Sequence, residues 1–77
     1  MSYTQEFLAD REKFRLLAEK KLKNTNPFAQ DAIECLLKDN NDKSAFMIWL
    51  SFTGLYNIEL SKEEDYIVQK WYYWFGK

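Results

Sequence analysis

Five aromatic residues follow one another without interruption near the end of the chain, from Trp71 to Phe75. Successive side chains on a helix are rotated by about 100°, so a helical run of this kind directs aromatic rings all the way around the axis. A chain of 77 residues is too short to cover a helix on every side. We therefore predict that part of this aromatic surface stays outside the core of the domain and is available for binding.

The residues that usually reinforce so small a fold are scarce. Cys35 is the only cysteine and the chain has no histidine, which excludes an intrachain disulfide and a Cys/His zinc site. With 47% hydrophobic and 18% aromatic residues, the composition is still that of a folded domain. We predict one domain over residues 1–77, without metal or cofactor, stabilised by aromatic packing, oligomerisation or both. The apolar pattern around Cys35 predicts a core or boundary thiol.

Hydrophobic periodicity predicts an all-α fold, a compact bundle of about four short helices. The first helix is expected to begin after Ser2 or Thr4 and to end near Asn24. The second begins at Pro27, with Asn26 as its cap, and ends at Lys38. Helical spacing predicts their inward stripes, which are Phe7, Phe14, Leu17, Ala18 and Leu22 in the first helix and Phe28, Ala29, Ala32, Ile33, Leu36 and Leu37 in the second.

The third segment, residues 45–56, is apolar on nearly all sides, a pattern typical of either a central buried helix or a buried strand. Its length favours a helix, as does the lack of a second strong strand. Gly54 leaves open whether this helix is continuous, because glycine costs roughly 1 kcal/mol relative to alanine in a helix interior. We expect the third helix to be central and buried.

The fourth helix is predicted from a capping-box pattern formed by Ser61 and Glu64, and Gly76 is placed to end it. Its spacing puts Ile67, Val68, Trp71 and Phe75 on one face, Tyr72 at the edge of that face, and Tyr66, Tyr73 and Trp74 on the other side. Tyrosine and tryptophan suit protein interfaces because each combines a rigid apolar body with a polar tip. The predicted partner-binding residues are Tyr66, Lys70, Tyr73, Trp74 and Lys77.

Two other interpretations of the aromatic run stay open. A small domain without disulfides or metal can use bulky aromatic residues to build a large core from few side chains. Alternatively, aromatic rings next to Lys70 and Lys77 could stack on the bases of single-stranded nucleic acid. A net charge of −1 gives little support to that interpretation, since phosphate binding gains its affinity from cationic residues.

Charge is unevenly distributed along the chain. The first 26 residues carry six Lys or Arg against four Asp or Glu, an excess of two. Such a mixture is typical of a solvated helix face, and the alternative is a recognition edge for another molecule. The candidate charged contact surface comprises Arg11, Arg15, Lys20, Lys21, Lys23, Asp31 and Glu34.

The sequence offers no catalytic pattern. The lack of histidine removes the commonest general base at neutral pH, and two glycines cannot supply a glycine-rich phosphate loop. Residues 39–42 are polar and acidic, but the spacing, central glycine and closing glutamate of an EF-hand calcium loop are missing. We expect a protein that is not an enzyme and has no small-molecule substrate.

Charged residues interrupt residues 1–18, so no secretory leader is predicted, and no apolar run approaches the ~20 residues that span a bilayer. We expect a cytoplasmic adaptor or steric inhibitor that binds another protein or a second copy of itself and does not bind membranes. Motif-free helical proteins of this size are often accessory products of phages or mobile elements, which is an analogy only. The alternatives are a nucleic-acid-associated regulator that uses the first helix and a structural subunit of a larger assembly. The sequence does not separate a monomer from a homodimer.

Overall fold

The computed structural model describes residues 4–75, with the side chains of residues 4–73. This part of the chain forms four α-helices and no strand. They are α1 (Gln5–Leu22), α2 (Pro27–Lys38), α3 (Asp42–Leu55) and α4 (Lys62–Phe75). The all-α prediction is confirmed, and the strand alternative for the third segment is wrong. The predicted roles of Ser2 and Gly76 lie outside the described residues.

Side-chain caps begin three of the four helices. The Thr4 hydroxyl accepts a hydrogen bond from the backbone N–H of Phe7 at 3.1 Å. Asn26 accepts one from the N–H of Ala29 at 3.1 Å, with Pro27 in the first turn. At α4, the Ser61 hydroxyl accepts from the Glu64 N–H at 3.1 Å, and the Glu64 carboxylate accepts from the Ser61 N–H at 2.9 Å. The predicted capping box is therefore present.

Asparagine, rather than glycine, ends α2 and α3. Asn40 and Asn57 adopt positive φ angles of 58° and 52°, the left-handed conformation that asparagine tolerates better than most residues. After α3, the Asn57 N–H donates to the Gly54 carbonyl at 3.3 Å and the Ile58 N–H donates to the Thr53 carbonyl at 3.0 Å. This is a Schellman arrangement, which satisfies carbonyls left over at a helix end. Gly54 itself lies within α3, so the third helix is continuous through it.

Aromatic rings from three helices form the centre of the core. Phe14 of α1, Trp49 of α3 and Trp71 of α4 are all at most 1% exposed. Phe14 meets Trp49 edge-on, with ring centroids 5.4 Å apart. Ile33 of α2 is also fully buried and joins the same cluster. All four helices therefore share one core, as expected for aromatic packing that stabilises a small domain.

The third helix is less enclosed than we expected. It buries one face, with Ala45, Phe46 and Trp49, while Met47 is 56% exposed and Leu55 is 67% exposed. The reason is uneven packing, since α3 packs mainly against α2 and only marginally against α4. By contrast, α1 packs substantially against both α2 and α4 and buries residues along its whole length.

Two expectations about α2 are wrong. Phe28, assigned to the inward stripe, is 84% exposed, and the thiol-bearing Cys35 is also exposed. The helix directs Ala29, Ile33 and Leu37 into the core. Phe28 and Cys35 are seven residues apart, so they lie together on the opposite face. Within residues 4–75, none of the helices combines the length and hydrophobicity that crossing a membrane requires.

Candidate functional site

The outer face of α4 carries two exposed tyrosines. Tyr66 is 64% exposed and Tyr73 is 54% exposed, and they lie two helical turns apart on one side of the helix. On the opposite side, Val68 and Trp71 are buried in the core. We call Tyr66 and Tyr73 the tyrosine face. Both side chains point away from the core as predicted, while the predicted contributions of Trp74 and Lys77 lie outside the described side chains.

A shallow apolar groove lies beside the tyrosine face, between α3 and α4. Its volume is about 300 Å³ and it is lined by Phe46, Leu50, Val68, Gln69 and Tyr72. The Tyr72 ring packs on Phe46 with centroids 5.1 Å apart, yet Tyr72 is 48% exposed. The sequence did not predict this groove, because Leu50 was assigned to a fully buried helix. The available signal was Tyr72, which spacing placed at the edge of the inward face.

Lys70 lies between Tyr66 and Tyr73 on the same side of α4, but its ammonium group contacts α1. Its ammonium donates a hydrogen bond to the Glu6 carboxylate at 2.8 Å and lies 3.7 Å from Asp10. The hydrogen bond to Glu6 is the main cause of a raised pKa for Lys70, with the charges of Asp10 and Glu6 adding to it. Lys70 therefore forms an ion pair that joins α4 to α1, and its partner-binding role stays a prediction.

The arginines of α1 are also held within the fold. Arg11 donates to the Asp42 carboxylate at 3.0 Å, which links α1 to the start of α3. Arg15 bonds Glu12 at 2.6 Å and Glu34 of α2 at 3.1 Å. The hydrogen bond from Arg15 is the largest cause of the lowered pKa of Glu12, and the same bond raises the pKa of Arg15.

Two lysines of α1 converge on the capping residue of α4. The ammonium groups of Lys20 and Lys21 each lie 3.1 Å from the Glu64 carboxylate. The backbone N–H of Ser61, followed by Lys21 and Lys20, lowers the pKa of Glu64 from its ordinary 4.5 to about 2. One carboxylate thus caps α4 and fastens it to α1.

Most residues of the candidate charged surface form ion pairs within the fold. Arg11, Arg15, Lys20, Lys21 and Glu34 pair within the fold, whereas Lys23 and Asp31 are exposed. A cation already paired with a carboxylate contributes less counterion release on meeting phosphate. The ion pairs therefore count against the nucleic-acid alternative, which stays a prediction without support from this geometry.

A second surface groove lies elsewhere and has mixed charge. It has a volume of about 420 Å³ between α1 and α2, and its lining includes Arg11, Arg15, Glu12 and Glu34. Four of its charged groups are the ion-paired side chains described above, which suits a structural role, and the fifth is the exposed Lys38. Among residues 4–75, no cluster of three or more potential metal ligands is present.

Comparisons of the chain with protein-family models, with curated proteins and with solved structures found no match. The residues of this chain alone therefore carry the functional proposal.

Proposed function

We propose that the protein is a non-catalytic binding module of the cytoplasm, which acts as an adaptor or steric inhibitor of another protein. The observation that carries the proposal is the exposure of Tyr66 and Tyr73 on one face of α4, more than half of each side chain being accessible. Tyrosine is enriched among the residues that dominate binding energy at protein interfaces. The adjoining groove offers apolar surface that a partner's side chain could fill.

The helix that carries the tyrosine face, α4, is held in place by its contacts with the rest of the domain. Trp71 fixes α4 in the core, the Glu64 carboxylate accepts from the Ser61 N–H at its start, and Lys70 ties its middle to α1. A helix fixed in this way loses little conformational freedom when a partner docks, so less of the interaction energy is offset by ordering. The geometry therefore favours binding to a preformed surface.

The residues around the tyrosine face supply a polar rim. Lys62, Glu63 and Asp65 are exposed at the start of α4, and Gln69 is exposed between the two tyrosines. Rim charges of both signs set the orientation of a partner more than they add to affinity. By covering a surface of its partner, the protein would block that surface, as a steric inhibitor does, or connect it to another molecule, as an adaptor does. The analogy with accessory proteins of phages or mobile elements fits such a steric role.

The proposal is tested by comparing two double variants with the wild-type chain. Tyr66→Ala with Tyr73→Ala removes the tyrosine face, whereas Leu8→Ala with Leu16→Ala removes two exposed leucines of α1 as a matched control. Each chain is immobilised and exposed to a lysate of the source cells, and circular dichroism checks that it is folded. We expect proteins that are retained by the wild type and the control but lost by the tyrosine variant. Equal retention by all three chains, or retention of nothing by the wild type, would contradict the proposal.

A further inference from the structure

Gly54 occupies a position where neither the backbone nor the core requires glycine. It lies in α3, it has no positive φ angle, and it is exposed. A Cβ atom built on it would meet no other atom within 4 Å. Glycine costs up to about 1 kcal/mol relative to alanine in a helix interior. No atom of the domain fills the space next to Gly54, so a side chain of a second molecule can occupy it.

Gly54 belongs to an exposed stripe along α3. Lys43, Met47, Leu50 and Gly54 are separated by four, three and four residues, the spacing that keeps side chains on one seam of a helix in coiled-coil packing. All four are exposed, and the two in the middle are apolar, with Met47 56% and Leu50 47% exposed. We call these four residues the α3 stripe.

The α3 stripe is complementary to itself. Met47 and Gly54 lie at equal distances from the midpoint between Leu50 and Ser51. A two-fold axis through that midpoint would pair α3 with an antiparallel copy and place each Met47 over the Gly54 of the other chain. A two-fold interface requires such reciprocity, since each residue i that meets j is matched by j meeting i. The flexible thioether of methionine is well suited to filling an irregular hollow.

Charge selects the antiparallel orientation. Lys43 is exposed at the start of α3, and the chain beyond the other end of the helix carries exposed Glu59 and Asp65 with one exposed cation, Lys62, between them. An antiparallel pair brings each lysine to the acidic end of the other copy. A parallel pair would place lysine beside lysine, and like charges at an interface disfavour association.

We propose that the α3 stripe is an interface with a second copy of this chain, formed by antiparallel pairing of α3 with α3. This inference goes beyond the proposed function and does not depend on it. Tyr66 and Tyr73 lie on α4, outside the stripe, so a dimer would present two tyrosine faces, although it would cover Leu50 of the adjoining groove. Two linked faces can raise the avidity for a partner that offers two sites.

The association is expected to be weak and concentration-dependent. One pair of short helices covers less than the roughly 800 Å² per partner that is typical of stable complexes. Sedimentation velocity should therefore be recorded from about 10 μM to about 1 mM, a range that brackets a Kd of about 100 μM. All chains carry Cys35→Ser, so that the exposed thiol cannot form an intermolecular disulfide.

The test compares Leu50→Lys at the centre of the stripe with Leu16→Lys on α1, since the two leucines have similar exposure. We expect a monomer–dimer equilibrium for the parent chain, at least about a tenfold increase in Kd for Leu50→Lys, equivalent to about 1.4 kcal/mol, and no change for Leu16→Lys. A parent chain that stays monomeric throughout, or a dimer that Leu50→Lys leaves intact, would overturn the inference.

The register is tested by disulfide formation between two single variants, Met47→Cys and Gly54→Cys, each also carrying Cys35→Ser. The proposed pairing brings position 47 of one copy next to position 54 of the other, whereas two copies of position 47 lie about 10 Å apart along the axis. A disulfide requires Cα atoms about 4.4–6.8 Å apart. We expect the mixture to cross-link faster than either variant alone, and equal rates would overturn the register. Both readouts concern this chain only, so they are independent of whether a different partner protein exists.

Discussion

Trp71 of α4 stacks on Phe14 of α1, with ring centroids 3.7 Å apart and ring planes inclined by 10°. Both side chains are fully buried. This contact fixes the rotation of α4 about its axis, because one ring of the aromatic run is committed to the core. Tyr73, two positions further along the helix, is thereby directed outward. The core contact and the candidate binding surface are consequences of the same helix orientation.

Removal of the stacked ring should destabilise the domain strongly. We expect Trp71→Ala to lower the free energy of unfolding by about 3–5 kcal/mol, the range typical of a large aromatic residue deleted from a core. Tyr66→Ala, on the exposed side of the same helix, should change it by no more than about 0.5 kcal/mol. Urea denaturation followed by tryptophan fluorescence measures both. Similar losses for the two variants would show that α4 does not have the orientation described here.

Gly54→Ala should stabilise the chain. The φ angle of Gly54 is not positive and a Cβ atom would meet nothing within 4 Å, so alanine fits without strain. We expect a gain of about 0.4–1 kcal/mol, because alanine reduces the conformational entropy of the unfolded chain. Thermal unfolding at low protein concentration, where self-association does not contribute, gives the value for the monomer. A loss of stability would show that Gly54 is needed within the domain.

The beginnings of the helices could be predicted from sequence because their signals are local. Thr4, Asn26 and Ser61 each bond a backbone N–H three residues away, and such contacts do not depend on the rest of the fold. The ends were harder to predict. Asn57 ends α3 without glycine, and Gly54 is simply helical.

Whether an apolar side chain points inward or outward depends on how the helices pack, and this could not be predicted from the sequence pattern alone. Spacing alone placed Phe28 inward, but Ile33 and Leu37 define the buried direction of α2 and leave Phe28 exposed. The groove between α3 and α4 arises from how these helices pack, which periodicity does not report. The pairing of Lys70 with Glu6 joins residues 64 positions apart and has no local signal.

The pair formed by Arg11 and Asp42 offers a test of charge burial. Their side chains are only 18% and 7% exposed, and a single hydrogen bond of 3.0 Å joins them. Arg11→Met should cost about 3 kcal/mol, because it leaves the Asp42 carboxylate buried without its cation. Adding Asp42→Asn should recover part of that loss by removing the buried charge. Equilibrium denaturation of the two variants provides the comparison, and a double variant less stable than Arg11→Met would contradict this explanation.

The lowered pKa of Glu64 predicts an acid-sensitive contribution to stability. Its pKa is about 2 in the folded chain against an ordinary value of 4.5, so the unfolded chain binds the proton more readily. The stabilisation is therefore fully present above about pH 4.5 and is lost as the pH falls toward 2. Glu64→Gln should destabilise the chain at pH 7, and its difference from the wild type should shrink through that window. The neighbouring Glu63→Gln is the control, and a difference that does not depend on pH would contradict the assignment.

The most direct test of the central claim is site-specific photo-crosslinking in the source cells. The photoreactive residue benzoylphenylalanine replaces Tyr66 in one chain and Leu16, which has similar exposure on α1, in the control chain. If the tyrosine face binds another protein, irradiation should yield a discrete adduct from position 66 that is absent from position 16 and identifiable by mass spectrometry. Absence of an adduct at position 66, or the same adducts from both positions, would contradict a binding role for the outer face of α4.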